Sequence, residues 1–581
     1  MLKQIWSWGV LVPLLHPVWF NLFLLLISWS ICGVAYQSND DLVIASVIDG
    51  WGDPSYADNH VIFVNPLLTG FLLKIAPVLG GLSVWPVFLI LATWFSCAII
   101  FTILTVHVRK VKRYDFSAIV LLLMWTLIVP RFFVALQFSY AAFLLSFAGV
   151  LLCLKHGTSS WKGLFIGVSL CILGGMVRLE ASLECDFFWA AVLFAGCLDG
   201  FNFNREKLFA RSRLLLALGS VLIISLGLNE YNKYAHRQVL EECDIVEWNR
   251  ARSLLSDTSP IRSESEYQCE KYGVSSNDIK MVQNFTNCDM DAFNKIYLDK
   301  LLLARDGDSL GLKAWVRMKK ALHLFSWNSI KDLSVCWILF ALFCFLVFKR
   351  GCSLVLLYCV GSVLVMCLLY MSSIDRLYFH VVYPTFLIAG GCLFWTDRYQ
   401  SVHLRIKGKG RWGVIASMLC ACFISFTRAW ASVWEANQEY FYPDTGRSLC
   451  DRVAQEPDAL FCVQLSGDTI DDFAPGQTIF HKAWSCSHKN VVTLGGWNYP
   501  LKPVQQKLKE MGWKGQSVLN LCRDKVYIVC LIPDGDVSGM DSKFTGMLSL
   551  HILERYGVRT VCYLDENILG VRIYRLHRVL S

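Results

Sequence analysis

The chain has 581 residues, of which 55% are apolar and only 17% charged, against about 25% charged in an average soluble protein. With a mean hydropathy of +0.45, this excludes a water-soluble enzyme and points to a membrane protein. The net charge of +8 does not signal nucleic acid, because the basic residues fall in short loops between apolar runs.

Apolar runs long enough to cross a bilayer as helices recur from Trp8 to Trp430. About eleven spans are predicted, near 12–34, 86–108, 115–130, 138–154, 161–177, 187–200, 213–229, 332–348, 352–371, 378–396 and 412–430. The first run is too long for a signal-peptide core and reads as a retained anchor. Alternate loops are basic: "RKVKR" (Arg109–Arg113), "KHGTSSWK" (Lys155–Lys162), "NREKLFARSR" (Asn204–Arg213), Lys349–Arg350 and "RYQSVHLRIKGKGR" (Arg398–Arg411). The positive-inside rule makes them cytoplasmic, together with the N-terminus, and places the other loops outside. The external stretch Glu230 to Asp308 holds 15 acids against 10 bases.

This divides the chain into a membrane module at 1–229, an extracytoplasmic helical insertion at 230–331, a second membrane module at 332–430 and an extracytoplasmic domain at 431–581. Between the first two spans, Val61–Leu79 is apolar but holds Pro66, Lys74 and Pro77. It is expected to lie along the outer leaflet or to re-enter it, since a full span would invert the basic loops. In the insertion, Ser275–Phe285 has a helix-start signature, and Met290–Gly307 reads as an amphipathic helix ending at glycine. In the last domain, 459–465, 489–497, 524–532, 559–566 and 569–576 read as strands. There, 502–512 and 543–557 read as helices, which together make an α/β domain. Nine of the 23 cysteines lie in the external parts; disulfides are plausible there, with pairing open. No CxxC metal pair occurs, and no metal centre is expected.

Three places carry charge where a membrane protein has a reason to keep it. Asp40 and Asp41 stand where the chain leaves the first span, and adjacent carboxylates allow one to deprotonate a hydroxyl while the other orients it. Arg178 and Glu180, in "GGMVRLEASLECD", sit at the outer end of the fifth span, where a guanidinium fork matches phosphate oxygens. Arg376 lies in a short external loop followed by Tyr378, and Arg131 occupies a similar span end. Three external arginines beside an acidic loop suggest an anionic headgroup held at the outer leaflet. His60 and Asn65 close the first loop and are weaker candidates.

The stretches "NDDLVIASVIDG…HVIFVNPLL", "GGMVRLEA", "WNRARSLLSD…GVSSNDIKMVQNF", "IDRLYFHVVYP" and "NVVTLGGW", spread over nearly the whole chain, carry a resemblance. With the topology, the chain resembles the GT-C superfamily, polytopic glycosyltransferases that use polyprenyl-phosphate-linked sugars. It looks more closely like a group of bacterial, often Gram-positive, GT-C-like membrane proteins of poorly defined activity. The resemblance implies that Asp40 or Asp41 is the base that activates the acceptor hydroxyl; Asp41 is slightly favoured, because the apolar run from Leu42 would fix it. An external arginine would hold the donor phosphate. The implied partners are membrane lipid, the lipid-linked sugar and a glycan acceptor. The second acidic motif of many such enzymes has no clear counterpart in Glu180, Glu184, Asp186 or Asp375, so a divalent metal is not implied. A polymerase or ligase of lipid-linked oligosaccharide would use the arginines without the first-loop acids. A transporter or a non-enzymatic scaffold is the remaining reading.

Overall fold

The computed structural model describes residues 16–50, 54–109, 125–126, 128–157, 160–198, 205–237, 245–284, 286–308, 310–326, 336, 354–374, 376–394, 423, 427, 451–464, 490–515, 517–531, 540–568 and 571–579. Nearly all of the predicted spans 332–348 and 412–430, most of 115–130, and Asp375 lie outside the described residues. The chain forms two compact units. One comprises Met1–Gln37, Val87–Asn229 and Met318–Glu435; the other comprises Ser38–Pro86, Glu230–Arg317 and Ala436–Ser581.

The first unit is helical. Its elements are α1 (Pro17–Cys32), α4 (Val84–Arg109) from Val87 onward, α5 (Phe138–His156), α6 (Trp161–Val177), α7 (Leu179–Leu198), α8 (Arg205–Arg237) as far as Asn229, α12 (Leu354–Ser373) and α13 (Phe379–Phe394); the intervening helices are given below. Val84–Thr105, Phe138–His156, Leu179–Leu198, Ser212–Arg237 and Leu354–Ser373 are each long and apolar enough to cross a membrane. Pro17–Cys32, Trp161–Val177 and Val381–Leu393 are apolar but shorter. The helix over the sixth predicted span starts at Leu179 rather than at 187, so Glu184 and Asp186 are carried inside it. Both are buried.

Helix α5 is buried along most of its length. It can be, because α6 meets it through glycine. A Cβ on Gly149 would stand 2.5 Å from the Gly167 carbonyl, and one on Gly167 would stand 2.8 Å from the Gly149 carbonyl. Small residues at such a crossing let two backbones touch, which is how helices associate in a medium that gives no hydrophobic drive. Ahead of α5, β1 (Ala35–Tyr36) pairs in parallel with β2 (Ala135–Leu136). That pairing fixes the Gln37 backbone, whose N–H donates to the Leu136 carbonyl.

In the second unit, the first-loop acids do not start a loop. They occupy the first turn of α2 (Asn39–Asp49). Leu42, Val43, Ile44, Ala45, Val47 and Ile48 are all buried, at about 1.5–3 kcal/mol for each of the larger side chains. Such a segment is apolar on every side, so it shows no helical periodicity. The segment predicted to lie at the interface becomes α3 (Pro66–Ile75), started by the Asn65 side chain accepting from the Leu67 N–H. It buries Leu68 and Leu72 and exposes Leu67 and Phe71.

The insertion contributes α9 (Ile245–Asp257), α10 (Ser276–Gln283) and α11 (Lys295–Asp306), the last ending at Gly307. The C-terminal segment forms β3 (Leu460–Gln464), β4 (Val491–Leu494), β5 (Val526–Leu531), β6 (Thr560–Ile568) and β7 (Val571–Arg578), with α14 (Lys502–Glu510) and α15 (Met540–Tyr556). The sheet order is β4-β3-β5-β7-β6. Strands β4, β3 and β5 run parallel, and β7 and β6 add an antiparallel hairpin. Parallel strands need crossovers that cover their faces, so β3 and β4 read as short continuous apolar runs rather than alternating ones. Phe461, Val463, Val491, Tyr527, Val529 and Ile573 make the core. Cys269, Cys288, Cys462 and Cys522 carry free thiols, so the disulfides expected from the sequence do not include them.

One buried charge cluster ties the insertion to this domain. His551 of α15 has its Nδ1 2.5 Å from an Asp278 oxygen and its Nε2 3.0 Å from an Asp289 oxygen. Tyr297 donates to Asp278 and Tyr556 to Asp289, and the Phe293 ring stacks on the imidazole. Burial opposes the charge on His551, but the two carboxylates outweigh it and push the pKa up to about 9.

Candidate functional site

The candidate residues fall in both units, and each group is built by its own local structure. In the second unit, Asp40 and Asp41 lie at the N-terminus of α2, where the helix dipole favours negative charge. Asp41 is fully buried. One of its oxygens accepts from the Trp85 indole N–H at 3.3 Å and the other from the Ser38 hydroxyl at 2.9 Å. A buried carboxylate requires such partners. Asp40 is half-buried and accepts from the Trp497 indole N–H at 3.0 Å. The two neighbouring acids therefore differ in access: one is enclosed, the other is reachable.

Trp497 comes from "GGW", which the sequence marks only as a turn. Gly495 and Gly496 have φ of 83° and 80°, a left-handed pair that residues with a Cβ rarely adopt. The Gly496 N–H donates to the Asn287 side chain at 3.3 Å, which fixes the turn. The Trp497 ring meets Phe63 edge-on at 5.2 Å. Three residues before Phe63 stands His60. Its Nδ1 lies 2.6 Å from an Asp58 oxygen. Burial pushes the Asp58 pKa up, but its bonds to His60 outweigh that and hold it below the usual carboxylate range.

In the first unit, two arginines converge on the first turn of α5. Arg178 is the extended residue that ends α6. Its guanidinium donates to the Ser139 hydroxyl and lies 5.0 Å over the Phe138 ring. Arg131 is buried, donating through Nε to the Tyr140 hydroxyl at 3.2 Å and through Nη2 to the Gln37 side chain at 3.4 Å. Three successive residues of one helix start thus touch two guanidiniums, at the end whose dipole is already positive. Glu180 comes within 3.8 Å of Arg178, but its side chain is 80% exposed, so it screens the cluster weakly. Glu184 of α7 is buried and accepts from the Thr385 hydroxyl of α13. This concentration of positive charge at a helix N-terminus suits an anion.

Arg376 and Tyr378 lie in the connection between α12 and α13. The Arg376 N–H donates to the Met371 carbonyl, and the Tyr378 carbonyl accepts from Val381 and Val382; the Tyr378 side chain is exposed. Among the described residues, no group of three or more His, Cys, Asp or Glu is placed to hold a metal ion. The sequence reading missed Trp85, Trp497, Ser139 and Tyr140. Of these only Trp497 leaves a trace, a tryptophan directly after two glycines. Compared with models of known families and with characterised proteins, the chain matches none.

Proposed function

We propose that the protein is a multi-pass membrane glycosyltransferase, with its N-terminus cytoplasmic and its C-terminal domain outside. It transfers a sugar from a polyprenyl-phosphate donor to a cell-surface glycan or a lipid-linked acceptor. The observation that carries this reading is the acid pair held by two indoles, one acid enclosed and one accessible. Asp40 takes the proton of the acceptor hydroxyl as that oxygen attacks the anomeric carbon. Asp41, bonded on both oxygens, fixes the helix start from which Asp40 projects. The assignment reverses the slight sequence preference for Asp41, because a residue with no exposure does not reach an acceptor.

Arg178 and Arg131 hold the donor phosphate at the start of α5 and stabilise the negative charge it gains as the glycosidic bond breaks. The lipid phosphate is the leaving group, so the reaction needs no nucleotide fold. A polymerase or ligase is favoured instead by the arginine cluster alone.

The test is transfer in cells and with purified protein. Replacing Arg178 with alanine should raise the KM for the lipid-linked donor by at least about tenfold, the loss of a charged hydrogen bond. Replacing Asp40 with asparagine should abolish the surface product at unchanged protein level. Loss in the arginine variant with full activity in the aspartate variant would support the polymerase or ligase instead.

A further inference from the structure

The helix Leu310–His323, which follows α11, is built unlike the insertion helices before it. Its sequence, LGLKAWVRMKKALH, holds three lysines, an arginine and a histidine, and no acid. Helices α9, α10 and α11 bury their large apolar side chains, among them Trp248, Ile279 and Leu298. Here the large apolar side chains face outward. Trp315, Met318, Leu322 and Phe325 are 47–59% exposed. Single exposed apolar residues are ordinary, but a contiguous row of them marks a surface that something covers.

The spacing of the four, by three, four and three residues, puts them on one side of the helix. The row runs past the last helical residue because the chain tightens there. The Leu324 and Phe325 N–H groups donate to the Ala321 and Leu322 carbonyls at 3.2 and 3.1 Å. Leu324 is buried while its neighbours Leu322 and Phe325 are exposed, which fixes the rotation of this turn. At 100° per residue, Lys319 falls on one flank of the row and Arg317 on the other, and both are exposed. The helix is also tied to a candidate span. The Ser372 hydroxyl, at the end of α12, donates to the Lys320 carbonyl at 2.6 Å, and both residues belong to the first unit. Because α12 is long and apolar enough to cross a membrane, its Ser373 end is where a bilayer surface would lie.

We propose that this helix lies on the bilayer surface at the Ser373 end of α12 and binds the headgroups of anionic phospholipids there. A helix with Trp, Phe and Leu on one side and Lys and Arg beside them lies in the plane of the interface, its apolar side sunk to the acyl boundary. Met318 and Leu322 form the middle of that side. Trp315 and Phe325 stand at its two ends, and tryptophan in particular is enriched at headgroup level. Arg317 and Lys319 flank the row on long stems that keep their charges at the phosphates. Charge names the occupant: a neutral leaflet would cover the apolar row and leave the flanking cations unmatched, whereas an anionic leaflet satisfies both. Lipid binding is read without sugar transfer, so it is judged independently of the proposed activity.

The experiment reconstitutes the full-length protein in phosphatidylcholine nanodiscs holding a trace of phosphatidylglycerol with a photoactivatable diazirine in its headgroup. Crosslinked peptides are then mapped by mass spectrometry. The peptide covering 310–326 should be labelled strongly, and a phosphatidylcholine probe of the same design should label it far less. Replacing Arg317 and Lys319 together with glutamine should lower the phosphatidylglycerol labelling by about tenfold or more, the usual worth of two basic side chains at an anionic surface. Both positions are exposed, so the thermal midpoint should not change. High salt should lower the wild-type labelling in the same direction. Equal labelling by the two probes, or wild-type labelling in the double variant, would overturn the proposal. So would an unlabelled 310–326 peptide, including one found crosslinked instead to a second copy of the chain.

Discussion

Asp278 and Asp289, clamped on His551, and Asp40 and Asp41, held by two tryptophans, are two acid pairs of the same unit. They are satisfied in opposite ways. Around His551 both ring nitrogens are taken, the tyrosines bond the carboxylates, and every member is at most 5% exposed at the side chain among Asp278, Asp289 and His551. Such a network has no opening for a substrate; it fixes the insertion helices against the C-terminal domain. At the start of α2 only Asp41 is enclosed, and Asp40 stays half-buried. On the proposed function, the contrast separates charge that holds a fold from charge placed for use, and it can be broken by substitution.

The largest stability effect should come from His551→Gln, which leaves two buried carboxylates without their cation. Removing one partner from a buried ion pair typically costs about 3–5 kcal/mol, and a fall of that size is expected in denaturant unfolding. Comparable stability in the variant would mean that the cluster does not brace the unit. The pH dependence should be nearly as large. Because the folded pKa of His551 is raised to about 9 from an ordinary value near 6.5, its contribution is complete below pH about 6.5 and is lost as pH rises through about 9. The loss is on the order of 3 kcal/mol. Thermal melts between those pH values should show the decline in the wild type and a flatter profile in His551→Gln.

The smallest and most discriminating effects concern the tryptophans. Trp85→Phe removes a donor from the enclosed Asp41 and should cost about 1.5–3 kcal/mol of stability. Trp497→Phe keeps the ring against Phe63 but removes the donor to Asp40. It should slow transfer by about tenfold with the smaller change in melting temperature. Equal effects of the two on stability would erase the distinction between the acids.

Much of this was legible in the sequence. The insertion helices appear where a polar start and a terminal glycine mark them, and the five strands of the last domain fall on their apolar runs. Helix α2 was not legible, because burial on all sides removes the periodicity that identifies a surface helix. The start of α7 was hidden for a different reason: Glu180, Glu184 and Asp186 lower the hydropathy of a segment that packing makes helical. The pairing of Asp40 with Trp497 joins residues far apart in the chain. Composition and spacing carry no record of such contacts.

The central claim is that Asp40 is present for chemistry and Asp278 for structure. It is tested most directly by measuring transfer rate and thermal midpoint together in Asp40→Asn and Asp278→Asn. The account predicts that Asp40→Asn loses transfer by about 10²–10⁴-fold, the usual range for removing a general base, at an unchanged midpoint. Asp278→Asn should lower the midpoint while the folded fraction still transfers sugar. Wild-type transfer by Asp40→Asn, with its midpoint unchanged, would contradict it.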